Sequence, residues 1–309
     1  MRVQFSPLLN LFAFIKLARP IFLLGGILLY WLGIAIAFAQ GASIKLLPAI
    51  VGQVMVTAIQ LMAQFANEYF DVEGDRLNTH SRTFFSGGSG VLPSGQLKIE
   101  LALFAAYFCA AVAVFFIAFT ALGNSLVSAI AALALLGSWF YSAPPLSLVS
   151  SGYGEFSTSL IVGLLVPLTG YILQAQRFDL PVLFICLPLM LIHWAMLIAF
   201  ELPDYEADKA VGKRTQTVRL GLRGAFILHT LLLIGSFIGI LTSIMTFGVF
   251  ARYLWLALPL IIWQSYSYKL SLKYRGDRIK SHVLTTGAVG LFALISVLWL
   301  FGFIHAIVF

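Results

Sequence analysis

The sequence predicts an all-α polytopic membrane protein in which nine transmembrane helices form a bundle around a central cavity. Three observations lead to this fold class. Hydrophobic residues make up 61% of the 309 positions and charged residues only 10%, whereas a soluble domain of this size needs far more charge on its surface. Apolar runs approaching the roughly 20 residues of a spanning helix recur along the whole chain. Acidic and amide side chains concentrate at the ends of two of these runs.

The nine predicted spans follow one another with short connections, and the fourth and eighth runs are the shortest. No soluble domain or long linker separates them, so residues 1–309 are expected to form a single transmembrane domain. In chain order the runs cover residues 21–39, 47–66, 101–122, 126–141, 156–174, 180–200, 225–249, 254–268 and 283–309.

The basic residues predict the orientation of the bundle. With nine spans, 16 of the 19 Lys and Arg residues precede the first run or follow the second, sixth or eighth, and only Lys45, Arg177 and Arg252 fall on the other side. The positive-inside rule puts the crowded side and the N-terminus in the cytoplasm, with the C-terminus outside. The protein is thus expected in a membrane, the cytoplasmic membrane if the source is prokaryotic. Topology accounts for the net charge of +7, so no nucleic-acid partner is needed.

Two thirds of the acidic residues lie in two short clusters. The clusters account for eight of the twelve carboxylates, which are Glu68, Asp71, Glu73 and Asp75 after the second run and Glu201, Asp204, Glu206 and Asp208 after the sixth. Carboxylates this close repel one another unless a cation compensates them. In a membrane protein such a group is a functional hypothesis by default.

The spacing of these residues places them on helix faces. If the helices continue, one face each holds Asn67, Asp71 and Asp75 after the second run, and Glu201, Asp204 and Asp208 after the sixth. A polar seam extends back into the second run through Gln53, Gln60 and Gln64. The second helix is therefore expected to line a cavity.

The two acidic clusters lie four runs apart, at helix ends of the same polarity. This arrangement predicts two four-helix pseudo-repeats, runs one to four and runs five to eight, related by an axis along the membrane normal and followed by a ninth helix. Internal repeats of this kind commonly form a site at their interface.

Paired aspartates that face one cavity favour a Mg²⁺ site, because Mg²⁺ prefers a few carboxylates together with phosphate oxygens of a substrate. Basic side chains beside the clusters are candidates for contacts with those phosphate oxygens. They are Arg76, Arg82, Lys209, Lys213 and Arg214. The alternative interpretation is a pair of solvated cytoplasmic loops, which rarely repeat an Asp-x-x-x-Asp pair at equivalent helix ends.

Four segments resemble motifs of the UbiA superfamily of intramembrane prenyltransferases. Residues 67–75, Asn-Glu-Tyr-Phe-Asp-Val-Glu-Gly-Asp, resemble its Asn-Asp-x-x-Asp-x-x-x-Asp motif. Residues 204–208, Asp-Tyr-Glu-Ala-Asp, with Gly-Lys-Arg-Thr at 212–215, resemble its second acidic motif. Residues 91–95, Val-Leu-Pro-Ser-Gly, and 141–145, Tyr-Ser-Ala-Pro-Pro, are similar to two further family segments. Order, spacing and helix count agree across nearly the whole chain.

The chain departs from the family pattern at two places. Glu68 stands where aspartate is commoner, and the Arg-Pro that often precedes the Leu-Pro-Ser-Gly element is replaced by the glycine-rich residues 87–90. Arg82 is therefore the arginine that we expect to grip a diphosphate. The glycine-rich run lacks the Gly-Lys-Ser/Thr ending of a P-loop, so we expect a flexible loop that folds over the cavity.

The resemblance implies Mg²⁺-dependent transfer of a prenyl chain from a prenyl diphosphate to an aromatic acceptor. Residues 67–75 and the pair Gly154-Glu155 look most like 1,4-dihydroxy-2-naphthoate prenyltransferases of menaquinone synthesis. The 4-hydroxybenzoate, chlorophyllide, haem and glycerol-phosphate lipid branches share the metal motifs and stay open as alternatives. A membrane transporter is the rival class, although its charged sites usually lie near the bilayer midplane.

The same resemblance assigns roles to particular residues. Mg²⁺ is expected to bind Asp71, Asp75, Asp204 and Asp208, with Asn67 orienting metal ligands or substrate. Aromatic faces can stabilise the allylic cation or contact the acceptor, and the candidates beside the motifs are Tyr69, Tyr141 and Tyr205. The expected partners are the prenyl diphosphate, the small acceptor and membrane lipid, and no obligate protein partner is evident.

Overall fold

The computed structural model describes residues 7–77 and 88–308, and these residues form helices and no strands. The helices are α1 (Pro7–Leu17), α2 (Pro20–Ala39), α3 (Leu46–Phe70), α4 (Val72–Leu77), α5 (Ile99–Ala121), α6 (Ser125–Ser142), α7 (Leu148–Ser151), α8 (Gly154–Leu160), α9 (Val166–Ala175), α10 (Pro181–Ala210), α11 (Gln216–Phe247), α12 (Leu258–Lys273) and α13 (Arg278–Val308). A π-helical turn, Ile161–Leu165, joins α8 to α9, and a 3₁₀ segment, Gly248–Ala257, joins α11 to α12.

Eight helical segments of the described chain are long and apolar enough to cross a membrane. They are α2, α3, α5, α6, the continuous segment from α8 to α9, α10, α11 and α13. Large apolar side chains such as Phe104, Phe108 and Leu122 point out of the bundle, with exposed fractions of 69%, 63% and 87%. An exterior of this kind requires a lipid environment, which confirms the prediction of an all-helical integral membrane protein.

The eighth predicted run, residues 254–268, takes a different form. Its first residues lie in the 3₁₀ segment, and the α-helix that follows, α12, has only 16 residues. The interruption begins at Gly248, whose φ of 47° and ψ of −103° cannot continue α11. Pro259 in the first turn of α12 then lacks an N–H but fits the start of a new helix.

The chain keeps helical hydrogen bonding where α3 passes into α4. The Asp71 N–H donates to the Asn67 carbonyl oxygen and the Asp75 N–H donates to the Asp71 carbonyl oxygen, both at 2.9 Å. Gly74 therefore does not break the helical path, and the four-residue spacing brings the three side chains onto one face. The helix that contains the second acidic cluster, α10, also continues through Pro203 and ends at Ala210.

Close backbone contact between α2 and α9 fixes one wall of the bundle. A Cβ on Gly33 would stand 1.9 Å from the Pro167 carbonyl oxygen, and one on Gly170 would stand 2.2 Å from the Tyr30 carbonyl oxygen. Only glycine allows helices in a membrane to approach this closely. The resulting bundle encloses a cavity bounded by α2, α3, α6, α8 to α10 and α13.

Candidate functional site

Both acidic clusters open onto this one cavity, which has a volume of about 560 Å³. Asp71 and Asp75 reach it from the end of α3 and from α4, and Asp204 and Asp208 reach it from the last turns of α10. Asp75 is buried, with 8% of its surface exposed. The structure thus brings together two pairs of aspartates that the sequence places 133 residues apart.

Lys213 stands between the two clusters. Its Nζ lies 2.9 Å from Asp71 Oδ2 and 3.9 Å from Asp208 Oδ1, and all three side chains are 16% exposed. Burial acts to lower the pKa of Lys213, but the neighbouring carboxylates of Asp71 and Asp208 outweigh it, and the pKa lies above its usual value. The ammonium group therefore stays charged and compensates one carboxylate from each cluster.

Asn67 orients the first aspartate. Its Nδ2 donates to Asp71 Oδ2 and to Ser142 Oγ, each at 3.1 Å. Ser142 is the last residue of α6, so the amide links the end of α6 to the carboxylate on α3. A side-chain amide held in this way fixes the rotamer of the carboxylate that it contacts.

Glu68 holds the chain that follows the undescribed residues 78–87. The Ser89 N–H donates to its Oε1 at 2.7 Å and the Ser89 hydroxyl donates to its Oε2 at 2.6 Å. Gly88 passes directly over the first cluster, because a Cβ there would stand 1.8 Å from Asp75 Oδ2. The φ of Gly88, +69°, is also one that glycine adopts without strain. The described end of the glycine-rich run is therefore anchored against the acidic helix end.

Arg19 is a cavity residue that was not predicted from the sequence. It immediately precedes α2, lines the cavity, and interacts electrostatically with Glu68, Asp75 and Asp204. Burial lowers its pKa and these carboxylates oppose that shift; the guanidinium remains a cation under any physiological condition. The sequence does contain a signal for this residue. Arg19 stands directly before Pro20 and the first apolar run, and a charged residue that is buried at such a place is a candidate functional residue, because its burial is costly.

Three of the other predicted basic residues, Arg76, Lys209 and Arg214, lie apart from the cavity lining. Arg76 is exposed and pairs with Glu73 at 2.6 Å, and Lys209 and Arg214 are exposed to solvent. Arg82 lies outside the described residues. Among the residues that the structure describes, the Lys and Arg side chains that line the cavity are those of Arg19 and Lys213.

The predicted tyrosine and glutamine residues also divide into those that line the cavity and those that do not. Tyr141 lines the cavity, whereas Tyr69 packs edge-on against the Phe70 ring at 5.0 Å and Tyr205 is not part of the lining. Of the polar seam on α3, Gln60 and Gln64 line the cavity. The third member, Gln53, donates to Thr57 Oγ1 at 3.0 Å within its own helix.

Two further carboxylates, Glu155 and Glu201, line the cavity beside Tyr141. The sequence placed Glu201 in the second cluster without a role, and it singled out Glu155 only as part of a family resemblance. Glu155 immediately precedes the fifth apolar run, and its charge at that position was the available signal. Deeper in the cavity, His193 forms a 3.0 Å hydrogen bond with Ser159 Oγ through its Nδ1.

The remaining lining is apolar and reaches the outer surface of the bundle. Ile21 and Leu24 line the cavity on α2 and are also 43% and 63% exposed. Phe292 and Ala293 of α13 form part of the opposite apolar wall. The cavity therefore has a charged end at the acidic helix ends and an apolar side that opens toward lipid.

Within residues 7–77 and 88–308, no group of three or more His, Cys, Asp or Glu side chains is arranged to hold a metal ion. Lys213 already compensates Asp71 and Asp208. The donor set nevertheless fits Mg²⁺, which is usually held by one or two carboxylates plus substrate phosphates and water rather than by an all-protein cage. Four carboxylates and the Asn67 amide supply such oxygen ligands around one cavity.

Solved structures of other proteins share this fold. A UbiA homolog from Archaeoglobus fulgidus bound to GPP and Mg²⁺ has a TM-score of 0.67 and 19% identity, covering 96% of this chain and 100% of that one. The apo UbiA homolog from Aeropyrum pernix K1 has a TM-score of 0.68 and 15% identity, covering 91% and 98%. A digeranylgeranylglyceryl phosphate synthase structure has a TM-score of 0.65 and 20% identity, covering 96% and 99%.

Sequence comparison points to the same group. The 1,4-dihydroxy-2-naphthoate octaprenyltransferase of Bacillus subtilis (strain 168) is 22% identical over 176 residues, which is 54% of this chain and 53% of that protein. The chain thus matches about half the length of this relative. The sequence model of the UbiA prenyltransferase family matches residues 27–284. This range contains both acidic motifs and all four cavity aspartates. The chain therefore belongs to the UbiA prenyltransferase family.

Proposed function

We propose that this protein transfers a prenyl chain from a prenyl diphosphate to an aromatic acceptor with the help of Mg²⁺. One observation carries the proposal: four aspartates from two distant helix ends share a cavity whose remaining walls are apolar and open to lipid. The charged end suits a diphosphate with its cations, and the apolar side suits a prenyl tail. Membership of the family and the GPP and Mg²⁺ of the Archaeoglobus fulgidus relative support it.

The metal would be held by Asp71, Asp75, Asp204 and Asp208, with Asn67 fixing the orientation of Asp71. Bound Mg²⁺ supplies a positive charge that stabilises the departing diphosphate. Lys213 then no longer has to compensate these carboxylates, and its ammonium group can donate to phosphate oxygens. Arg19 lines the same cavity, interacts electrostatically with Asp75 and Asp204, and offers a second donor. Arg82 stays a candidate for a third.

The chain's own contribution to the reaction is to ionise the donor in a dry site and to shield the product of ionisation. When the allylic C–O bond breaks with its electron pair on the diphosphate, the prenyl carbon becomes an electrophile that water would quench. The apolar lining excludes water from the cavity. Tyr141, the predicted tyrosine that lines the cavity, presents an aromatic ring to this region, where a ring face can stabilise a cation.

The acceptor that we propose first is 1,4-dihydroxy-2-naphthoate. Support comes from residues 67–75, from Gly154-Glu155, and from the Bacillus subtilis relative, which is named as a 1,4-dihydroxy-2-naphthoate octaprenyltransferase. The alternative within the family is another acceptor, namely 4-hydroxybenzoate, chlorophyllide, haem or a glycerol-phosphate lipid. A synthase of the last class is among the solved structures that share the fold.

We further propose nine crossings in one domain, with α12 as the eighth and α13 as the ninth. Arg275, just after α12, forms a 3.4 Å ion pair with Glu206 near the end of α10. The chain therefore leaves the acidic face at the start of α11 and returns to it at the end of α12. This path supports two four-helix halves, a cytoplasmic N-terminus and site, and a C-terminus outside. A C-terminal reporter that is active in the cytoplasm would contradict this topology.

The direct test of function is an assay with purified protein, Mg²⁺ and farnesyl or geranylgeranyl diphosphate. A panel of aromatic acceptors is offered and the products are identified by mass spectrometry. We expect one prenylated acceptor and one diphosphate per turnover. If reconstituted vesicles instead carry an ion flux while no acceptor is prenylated, the protein is a transporter and the proposal fails.

A further inference from the structure

Two carboxyl groups outside the aspartate pairs meet at the start of α11. Glu155 Oε1 accepts a hydrogen bond from the Gln216 N–H, and Glu201 Oε2 accepts one from the Thr217 N–H, each at 2.9 Å. Gln216 and Thr217 are consecutive residues, whose Cα atoms lie about 3.8 Å apart. Glu155 comes from α8 and Glu201 from α10, so two separate helices deliver neighbouring carboxyl groups to one point of the cavity.

These two carboxyl groups have no compensating cation among the described residues. Neither forms an ion pair with a Lys or Arg side chain there, in contrast to Asp71 and Asp208. Glu155 is 3% exposed, and no N–H or O–H donor of the described chain reaches its Oε2. Carboxyl groups placed this close together in a buried site repel one another when both carry a charge.

Helix capping alone does not explain this arrangement. The hydroxyl of Thr215 already caps α11 by accepting from the Val218 N–H at 3.4 Å. One further carboxylate would complement the helix dipole, but a second one adds repulsion, and the unused Oε2 of Glu155 remains a buried acceptor without a donor. Glu155 also lines the cavity, so a molecule bound there lies beside its carboxyl group.

The pair also lies next to the diphosphate end of the cavity. Tyr141 interacts electrostatically with Glu155 and Glu201 as well as with Asp71 and Asp208. The tyrosine thus lines the same cavity as the glutamate pair and the aspartates and is close enough to interact with both groups. A ring that contacts Glu155 would be adjacent to the reacting carbon of a donor whose diphosphate is held at the aspartates.

We propose that Glu155, paired with Glu201, is the base that accepts a hydroxyl proton from the acceptor ring. This inference rests on the proposed prenyl transfer and specifies its acceptor as an aromatic compound with an ionisable ring hydroxyl. The hydroxyl O–H bond breaks and its proton moves to the Glu155 carboxylate. The aryl oxide then attacks through a ring carbon, a C–C bond forms, and the diphosphate leaves with the electron pair of the allylic C–O bond. The ring carbon then gives up its proton to the released diphosphate, and the oxygen regains one from Glu155, so that the products are the C-prenylated ring with its hydroxyl restored and a protonated diphosphate.

The test compares Glu155→Gln with wild type on acceptors of graded hydroxyl acidity, at saturating prenyl diphosphate. General-base catalysis contributes on the order of 10²-fold or more, so we expect a loss of that size with weakly acidic acceptors. Most activity should return with acceptors whose hydroxyl is already ionised at the assay pH, and the KM for prenyl diphosphate should stay unchanged. The matched control is Glu100→Gln, whose side chain is exposed in the first turn of α5, and we expect activity within twofold of wild type.

Equal losses for all acceptors, or no loss for any, would overturn the role of Glu155. Wild-type enzyme alone supplies an independent readout that does not depend on the folding of a variant. It should prenylate the free phenol or naphthol and leave the O-methyl ether unreacted, and equal rates for both would refute the inference while leaving prenyl transfer intact. A wild-type enzyme that releases diphosphate with no acceptor and prenylates none would refute the proposed function itself.

Discussion

Replacing Lys213 with methionine tests how the charged end of the cavity works. The substitution keeps an apolar chain of similar length and removes the ammonium group that lies 2.9 Å from Asp71 Oδ2 and 3.9 Å from Asp208 Oδ1. In the variant the two carboxylates face one another without a cation. We therefore expect lower stability without Mg²⁺, tighter binding of Mg²⁺ and weaker binding of prenyl diphosphate.

The magnitude follows from the two distances. With an effective dielectric constant near 20, the attraction is roughly 6 kcal/mol at 2.9 Å and roughly 4 kcal/mol at 3.9 Å. Desolvation of the three groups offsets most of this gross energy, and we expect a net value of about 2 kcal/mol. Since each 1.4 kcal/mol is about a factor of ten, Mg²⁺ should bind Lys213→Met roughly 30-fold more tightly. The lost contact to phosphate, a charged hydrogen bond of about 1.5–3 kcal/mol, should lower kcat/KM for prenyl diphosphate about 10- to 100-fold.

The assay is a thermal melt in detergent, titrated with Mg²⁺ in the absence of substrate, alongside steady-state kinetics. Because a ligand stabilises the fold according to its concentration relative to Kd, the melting temperature of Lys213→Met should start below that of wild type and rise at lower Mg²⁺. The control is Lys98→Met, since Lys98 is exposed and caps α5 with its backbone alone. Unchanged or weaker Mg²⁺ binding by Lys213→Met would refute the view that lysine and metal compensate the same carboxylates.

Three further predictions address the same site. Asp71→Ala and Asp208→Ala should each lower transfer by on the order of 10³-fold while expression and membrane insertion persist, and wild-type rates under limiting Mg²⁺ would contradict their assignment. Chelation with EDTA should stop product formation and added Mg²⁺ should restore it; activity that survives exhaustive chelation would rule out the metal. Gly88→Ala, whose Cβ would stand 1.8 Å from Asp75 Oδ2, should lower activity at least tenfold, whereas Gly95→Ala, with a similar φ of +71° and nothing within 4 Å, should cost only backbone strain. Equal effects of the two alanines would argue against close packing over Asp75.

The acidic helix ends could be predicted because their order in the chain reflects helix geometry. Asn67, Asp71 and Asp75 are spaced by four residues, and the hydrogen bonds across the α3–α4 junction preserve that register. The spacing of Glu201, Asp204 and Asp208 predicts one face of α10 in the same way, since α10 remains helical through Pro203. Periodicity of this kind is local, so the sequence contains the information that determines it.

The rest of the site depends on contacts between distant segments. Arg19 and Lys213 belong to a large set of basic residues near the same helix ends, and only packing decides which of them reach the cavity. Glu155 becomes a neighbour of Glu201 through the start of α11, a contact over tens of residues with no periodic signature. The 3₁₀ segment before α12 depends on the backbone of Gly248, and an apolar run has the same composition in either form.

Charge balance links these observations. At the polar end of the cavity, Lys213 compensates one carboxylate from each acidic cluster. The Ser89 N–H and hydroxyl donate to the two oxygens of Glu68. The backbone N–H groups of Gln216 and Thr217 donate to one oxygen each of Glu155 and Glu201. Each of these carboxylates thus has at least one protein partner before any ligand enters. Binding of a diphosphate with its cations is then an exchange of partners rather than the filling of an uncompensated site, because Lys213 can move from the aspartates to the phosphates as the metal takes its place. We therefore expect the metal to bind more tightly together with the diphosphate than alone, because the phosphate oxygens complete its ligands and take over Lys213.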